Sequence, residues 1–194
     1  MENKKEEFIK IFDQTIGREG AKELKNYLLK SDFFSAPASS RYHCAYEGGL
    51  CEHSINVYKR LLANVRNEYG SEWEKIVPHE SVAICGLLHD LCKIDFYKTD
   101  YRNVKENGEW VKKPYYAREE GLPYGHGEKS VYILCGFMRL TREEAMVINW
   151  HMGGFDVRVK GGDGSVSEAF CKFPLAVLLH IADLQATFID EKRG

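Results

Sequence analysis

Residues 87–93 read Leu87-Leu88-His89-Asp90-Leu91-Cys92-Lys93. Two leucines run into an imidazole and a carboxylate, and an ammonium group follows. Just upstream, Val82, Ala83, Ile84, Leu87 and Leu88, with Leu91, make a helical pattern that is apolar nearly all round. Such a helix belongs at the centre of a fold, and Pro78 suits its first turn. On that reading Lys93, at i+4 from His89 and i+3 from Asp90, shares their face. A lone His-Asp pair is explained by mutual hydrogen bonding, because buried polar groups find partners. The pair gains meaning only if other polar groups converge on it.

Working outward, residues 4–15 and 18–30 read as two short amphipathic helices within an N-terminal segment 1–32. Ser31 to Gly49 is a long loop ending in Gly48-Gly49, and long ordered loops are often functional. Leu50 to Tyr69 is helical, with Gly70 as its stop. Residues 96–118 change to strand formers around Asn107-Gly108, a strong hairpin turn signal. Helical patterns resume at 127–138, 142–151 and 168–190, the second opened by a capping box of Thr141 and Glu144. Gly153 to Gly164 is a loop. The expected fold class is all-α: a single domain over 1–194, a helical bundle with a small inserted β-hairpin.

The chain has 194 residues, 29% charged and 44% hydrophobic, with a formal net charge of −2. This balance argues against a general nucleic-acid coat or a membrane-surface role, both of which favour basic surfaces. Extended nucleic acid is therefore not an expected partner, although a local basic pocket is compatible with the balance. No stretch approaches the roughly 18 apolar residues of a membrane span, and Met1 to Glu7 lacks the apolar core of a signal peptide. The six cysteines form no C-x-x-C pair. They read as reduced, mostly buried thiols of a cytoplasmic protein.

His53, His126, His151 and Asp183 join His89 and Asp90 as polar groups on otherwise helical, largely apolar segments. Each is costly to bury unpaired. Polar groups spread over five helices are best explained together, by a metal centre toward which those helices point.

The order His53, His89-Asp90, Asp183 resembles the HD-domain superfamily of metal-dependent phosphohydrolases. The strings that carry it are His43-Cys44-Ala45-Tyr46-Glu47-Gly48-Gly49-Leu50-Cys51-Glu52-His53, Leu87-Leu88-His89-Asp90-Leu91-Cys92-Lys93-Ile94 and Ile181-Ala182-Asp183, within residues 40–190. The first string is similar to the HD domain of a bacterial 3′–5′ exoribonuclease branch. About 40 residues precede the motif region, too few for an oligonucleotide-binding barrel, so processive RNA degradation is not expected.

The resemblance implies a helical bundle with the metal site at its centre. His53, His89, Asp90 and Asp183 would hold a first ion. Binuclear members add two histidines in the order that His126 and His151 match, with Asp90 bridging. Nitrogen and carboxylate ligands suit Mn, Fe, Co, Ni or Zn, so one or two divalent transition-metal ions per chain are expected without a choice among them. The implied activity is phosphomonoester or phosphodiester hydrolysis, on a nucleotide or another small phosphate ester, by a metal-activated water. Asp90 and Lys93 take catalytic roles, and Lys93, His43 and Arg41 are candidate substrate contacts.

Two other functions fit the same ligands. One is a di-iron oxygenase acting on a small polar substrate, which His126 and His151 keep open. The other is a non-catalytic nucleotide-sensing module that retains its metal. An iron-rich, O₂-consuming preparation separates the first from a hydrolase, and tight nucleotide binding without turnover separates the second. Of the remaining histidines, His79 reads as a surface or capping residue, and His180, which at i+3 shares a face with Asp183 and could orient it, reads as structural. The aromatic residues from Tyr97 to Tyr116 either pack the hairpin on the bundle or form a lid that stacks on a base. The oligomeric state is not legible in the sequence.

Overall fold

The computed structural model describes residues 2–191. Helices α1 (Glu2–Thr15), α2 (Ala21–Lys30) and α3 (Gly49–Tyr69) are followed by α4 (Trp73–Ile76) and α5 (His79–Leu88). Strands β1 (Tyr97–Glu106) and β2 (Glu109–Arg118) come next. Helices α6 (His126–Cys135), α7 (Arg142–Asn149), α8 (Val157–Lys160), α9 (Ser165–Lys172) and α10 (Pro174–Gln185) complete the order. The fold is mostly helical with one small hairpin.

Helix α5 is central, as its apolar sequence requires: every residue from Ser81 to Leu88 is buried. It packs against α3, α1 and α7, while α10 packs against α3, α7 and α9. Ile55, Leu61, Leu87, Leu88, Leu175 and Leu179 belong to one continuous core. Burying each such side chain contributes about 1.5–3 kcal/mol relative to exposure. That core fixes the helices from which the polar groups project. Gly86 permits α5 to approach α3 closely, since a Cβ there would lie 2.7 Å from Cα of Tyr58 on α3.

Two helices are shorter than their sequence patterns. The apolar run through Leu91 is not one continuous helix: α5 stops at Leu88, Asp90 has φ −106° and ψ 23°, and Leu91–Lys93 is a 3₁₀ turn. The ring Nδ1–H of His89 donates to the Gly86 carbonyl at 3.0 Å, supplying one of the donors that the end of a helix lacks. Residues 168–190 divide at Phe173, which is extended (φ −131°, ψ 83°) before Pro174. Proline cannot continue a helix from the preceding turn and disfavours helical geometry in its neighbour. A π-helical turn, Ala186–Asp190, then prolongs α10.

The hairpin forms where Asn107-Gly108 predicts it. Both residues have positive φ, 50° and 90°, as a tight hairpin turn requires. The antiparallel register runs from Tyr97↔Arg118 to Glu106↔Glu109. Its rings divide: Tyr97, Tyr115 and Tyr116 are half-buried, whereas Tyr101 and Trp110 are 62% and 71% exposed. Packing on the bundle therefore accounts for the root of the hairpin and not for its outer half.

Cys44, Cys51, Cys85 and Cys92 are buried, Cys135 and Cys171 are exposed, and all are free thiols. His79 opens α5 and makes a 2.9 Å hydrogen bond with the Tyr58 hydroxyl. No single helix among the described residues is long and apolar enough to cross a membrane.

Candidate metal centre

Each polar group of the centre sits at or near a helix end. His53 lies in the first turns of α3, behind Gly48, whose left-handed backbone (φ 82°) starts the helix. His89 and Asp90 follow the end of α5. His126 opens α6, and its neighbour Gly127 presses on the end of α7: a Cβ there would lie 2.2 Å from the Asn149 carbonyl oxygen. That contact brings His126 beside His151, which lies just beyond α7, with ring centroids 5.2 Å apart. Asp183 projects from α10.

The Asp90 carboxylate is the hub, and its two oxygens divide the histidines. Oδ1 lies 2.7 Å from His126 Nε2 and 3.5 Å from His151 Nε2. Oδ2 lies 3.5 Å from His53 Nε2 and 3.4 Å from His89 Nε2. Asp183 Oδ1 is 3.3 Å from His53 Nε2. His53, His89, Asp90 and His151 are buried. His126 and Asp183, with side chains 32% and 18% exposed, form the open side of the cluster.

The donor set fits a metal ion. His151 mirrors His89, with its Nδ1 2.7 Å from the Ile148 carbonyl. In both rings Nδ1–H donates to the backbone, so in the neutral ring Nε2 presents a lone pair. These two Nε2 atoms are buried without a hydrogen-bond partner, and each faces a carboxylate oxygen. Lone pairs turned toward one another in a buried site call for a cation between them. A backbone carbonyl holding the far ring nitrogen is also how protein frameworks fix metal-binding histidines. Sub-clusters His53–His89–Asp90, His89–His151–Asp183 and Asp90–Cys92–His126 each bring one donor atom per residue within 4.8 Å of one another.

Burial pushes the Asp90 carboxyl up, but Lys93 and His89 outweigh it and hold it well below the usual carboxylate range. Burial pushes Lys93 down, and Asp90 overrides it so that the ammonium stays charged. The two form an ion pair of 2.6 Å between Lys93 Nζ and Asp90 Oδ2. Burial keeps the His89 ring below its ordinary value. For His53 burial acts the same way, yet hydrogen bonds to Asp183 and Glu191 raise its pKa to about 9.

Glu191 is the main residue that the sequence reading missed. Its Oε1 lies 3.0 Å from His53 Nδ1, and its Oε2 lies 2.7 Å from His43 Nδ1. His43 therefore packs beside His53, with ring centroids 4.6 Å apart. Cys92 is the second missed residue, its Sγ 3.4 Å from His126 Nδ1; burial raises its pKa and keeps it a thiol. His180 supports His151, its Nδ1–H donating to the His151 carbonyl at 2.7 Å. Arg41 is exposed and bonds to the hydroxyl of its neighbour Tyr42 at 2.9 Å; it does not join the residues around Asp90.

Over 61 residues the chain is 46% identical to a dihydroneopterin 2′,3′-cyclic phosphate phosphodiesterase of Methanocaldococcus jannaschii. The match covers 30% of this chain and 23% of that protein, so the chain aligns with less than a quarter of the relative's length. No protein-family profile matches the chain, and no solved structure matches it significantly.

Proposed function

We propose that this protein is a metal-dependent phosphohydrolase of the HD type that cleaves phosphodiesters of nucleotide-like substrates. The observation that carries the proposal is the division of four histidines between the two oxygens of Asp90. His53, His89, Asp183 and Asp90 Oδ2 would hold one ion, and His126, His151 and Asp90 Oδ1 a second. The phosphodiesterase activity named for the partial relative supports hydrolysis over the oxygenase alternative.

Bound there, divalent ions supply Lewis acidity toward a phosphoryl oxygen and lower the pKa of water. The protein's own groups do the rest. Backbone carbonyls of Gly86 and Ile148 keep the Nε2 lone pairs of His89 and His151 turned inward. The Lys93 ammonium carries three donors, of which Asp90 takes one. The others are available to an anionic phosphoryl oxygen, whose charge rises in the transition state. Substrate enters on the side of His126 and Asp183, where the cluster is open.

The test is release of 4-nitrophenol from bis(4-nitrophenyl) phosphate, and ring opening of 2′,3′-cyclic mononucleotides, with Mn, Co, Ni, Zn or Fe(II). Turnover that a chelator removes and Asp90→Ala abolishes is expected. Undiminished turnover in Asp90→Ala, or none with any of these metals, refutes the assignment.

A further inference from the structure

The hairpin is a ribbon about 30 Å long, from the rise of roughly 3.4 Å per residue over each strand, and most of it stands in solvent. Side chains alternate between its faces, and the register fixes which residues share one. Tyr97, Tyr101, Trp110 and Tyr116 fall on one face. Lys105, Lys112 and Arg118 fall on the same face, interleaved with those rings. Every carboxylate of the two strands, Asp100, Glu106 and Glu109, lies on the other face.

The two faces use their cations differently. On the acidic face Lys113 pairs with Glu106, and Lys98 pairs with Glu119 just beyond β2. Arg102 stacks over Tyr115, whose hydroxyl donates to Asp100 at 3.0 Å. On the aromatic face Lys105, Lys112 and Arg118 form no ion pair among the described residues. Lys105 stands directly across from Trp110. A surface of exposed rings and uncompensated cations suits a chain of alternating bases and phosphates: rings stack on any base, and cations take the backbone. The chain's net charge of −2 conceals it, because the two strands carry six cations against three carboxylates and the surplus of acidic residues lies elsewhere in the chain.

The ribbon is rooted at the metal centre. Tyr97, the first residue of β1, follows Lys93 by four residues in the chain. Phe96, the residue before it, lies under the Lys129 ammonium of α6, the helix that His126 opens, 5.2 Å from ring centroid to Nζ. The Tyr97 ring meets that of Tyr116 on the aromatic face, with centroids 6.4 Å apart.

We propose that the aromatic face of the hairpin binds a single-stranded oligonucleotide, stacking bases on Tyr101 and Trp110 and pairing phosphates with Lys105, Lys112 and Arg118. The strand's terminal phosphodiester is thereby led toward Asp90; this last step rests on the phosphodiesterase reading, whereas binding does not.

The experiment is fluorescence anisotropy of a labelled oligothymidylate with phosphorothioate linkages, titrated with the full chain across a range of salt. Wild type should bind at about 50 mM salt, with affinity falling as salt rises. Lys105→Ala/Lys112→Ala/Arg118→Ala should weaken binding at least tenfold. It should also flatten the log–log salt slope by about 2, at roughly 0.7 per phosphate contact. Trp110→Ala should weaken binding about fivefold or more, the effect of one lost stacking contact. Lys98→Ala/Lys113→Ala, on the acidic face, should bind as wild type does.

Equal losses from the two faces overturn the proposal, as does failure of wild type to bind. It is also overturned by sedimentation evidence of a dimer that the aromatic-face variant dissociates, since the face would then be a contact between copies. Hydrolysis of bis(4-nitrophenyl) phosphate by wild type reports on the phosphodiesterase reading alone. Strand binding without that hydrolysis refutes the activity and keeps the ribbon; hydrolysis without strand binding does the reverse.

Discussion

Nδ1 of His53 lies 3.0 Å from Oε1 of Glu191, while Nε2 of the same ring lies 3.3 Å from Asp183. Glu191 thus fixes the face that His53 turns toward Asp90. Burial pushes the Glu191 carboxyl up, but His43 and His53 outweigh it and hold it well below the usual range. Outer partners of metal-binding histidines are worth about 10–100-fold in metal affinity. Calorimetric titration of metal-stripped protein with Mn²⁺ should show a loss of that order in Glu191→Ala. Glu191→Gln, whose amide oxygen still accepts from Nδ1–H, should recover much of it. Unaltered affinity in Glu191→Ala would show that His53 needs no such anchor.

Asp90 and Lys93 are buried together. Removing one partner of a buried pair strands the other and costs about 3–5 kcal/mol. In urea titrations Asp90→Ala should lose stability on that scale while keeping its helical circular dichroism. The double variant Asp90→Ala/Lys93→Met should regain most of the loss without regaining metal. If the second substitution brings no recovery, the ammonium is not the stranded group.

Glu144 ties three segments together away from the metal centre. It accepts from Arg18 at 2.7 and 2.8 Å and from Ser81 at 2.7 Å, and it caps α7 through the Thr141 backbone at 2.8 Å. Burial raises its pKa, and the hydrogen bonds from Arg18 and Ser81 outweigh that and lower it. A depressed folded pKa gives stability that is present above the unfolded value, about 4.3. That stability is lost as pH falls through the lower folded value. Glu144→Gln should therefore be less stable than wild type at neutral pH, by about 1–3 kcal/mol. The gap should close as pH drops below about 4.3. A gap independent of pH contradicts the ionised network.

Gly127 sets the distance between His126 and His151. Gly127→Ala places a Cβ 2.2 Å from the Asn149 carbonyl oxygen, and overpacking of this kind costs about 1–3 kcal/mol. We expect a lower melting temperature and weaker binding of one ion of two. A variant with wild-type stability and stoichiometry would mean that α6 shifts without consequence for the centre.

The helical fold and most of the cluster were legible because buried polar residues stand out on apolar helices. His89, Asp90 and Asp183 interrupt runs of Leu, Ile, Val and Ala, whereas His53 and His151 were found through their order in the family resemblance. Glu191 was not, because it sits in the charged tail Asp190-Glu191-Lys192-Arg193. It reaches His53 only through the π-helical turn after α10. The end of α5 was hidden because hydrophobic periodicity continues to Leu91, whereas the helix ends at Leu88 with the His89 ring bonded to the Gly86 carbonyl. The break before Pro174 was passed over by the single helical pattern read across 168–190, although the proline is the local signal for it. The one-sided charge of the hairpin needed the register, which the Asn107-Gly108 turn sets, to become visible.

The most direct test of the metal centre is elemental analysis of protein purified without chelator and then reconstituted with Mn, Fe, Co, Ni or Zn. The division of histidines across Asp90 predicts two equivalents per chain, lost in Asp90→Ala. Absence of bound metal after reconstitution with every one of these ions would contradict the account.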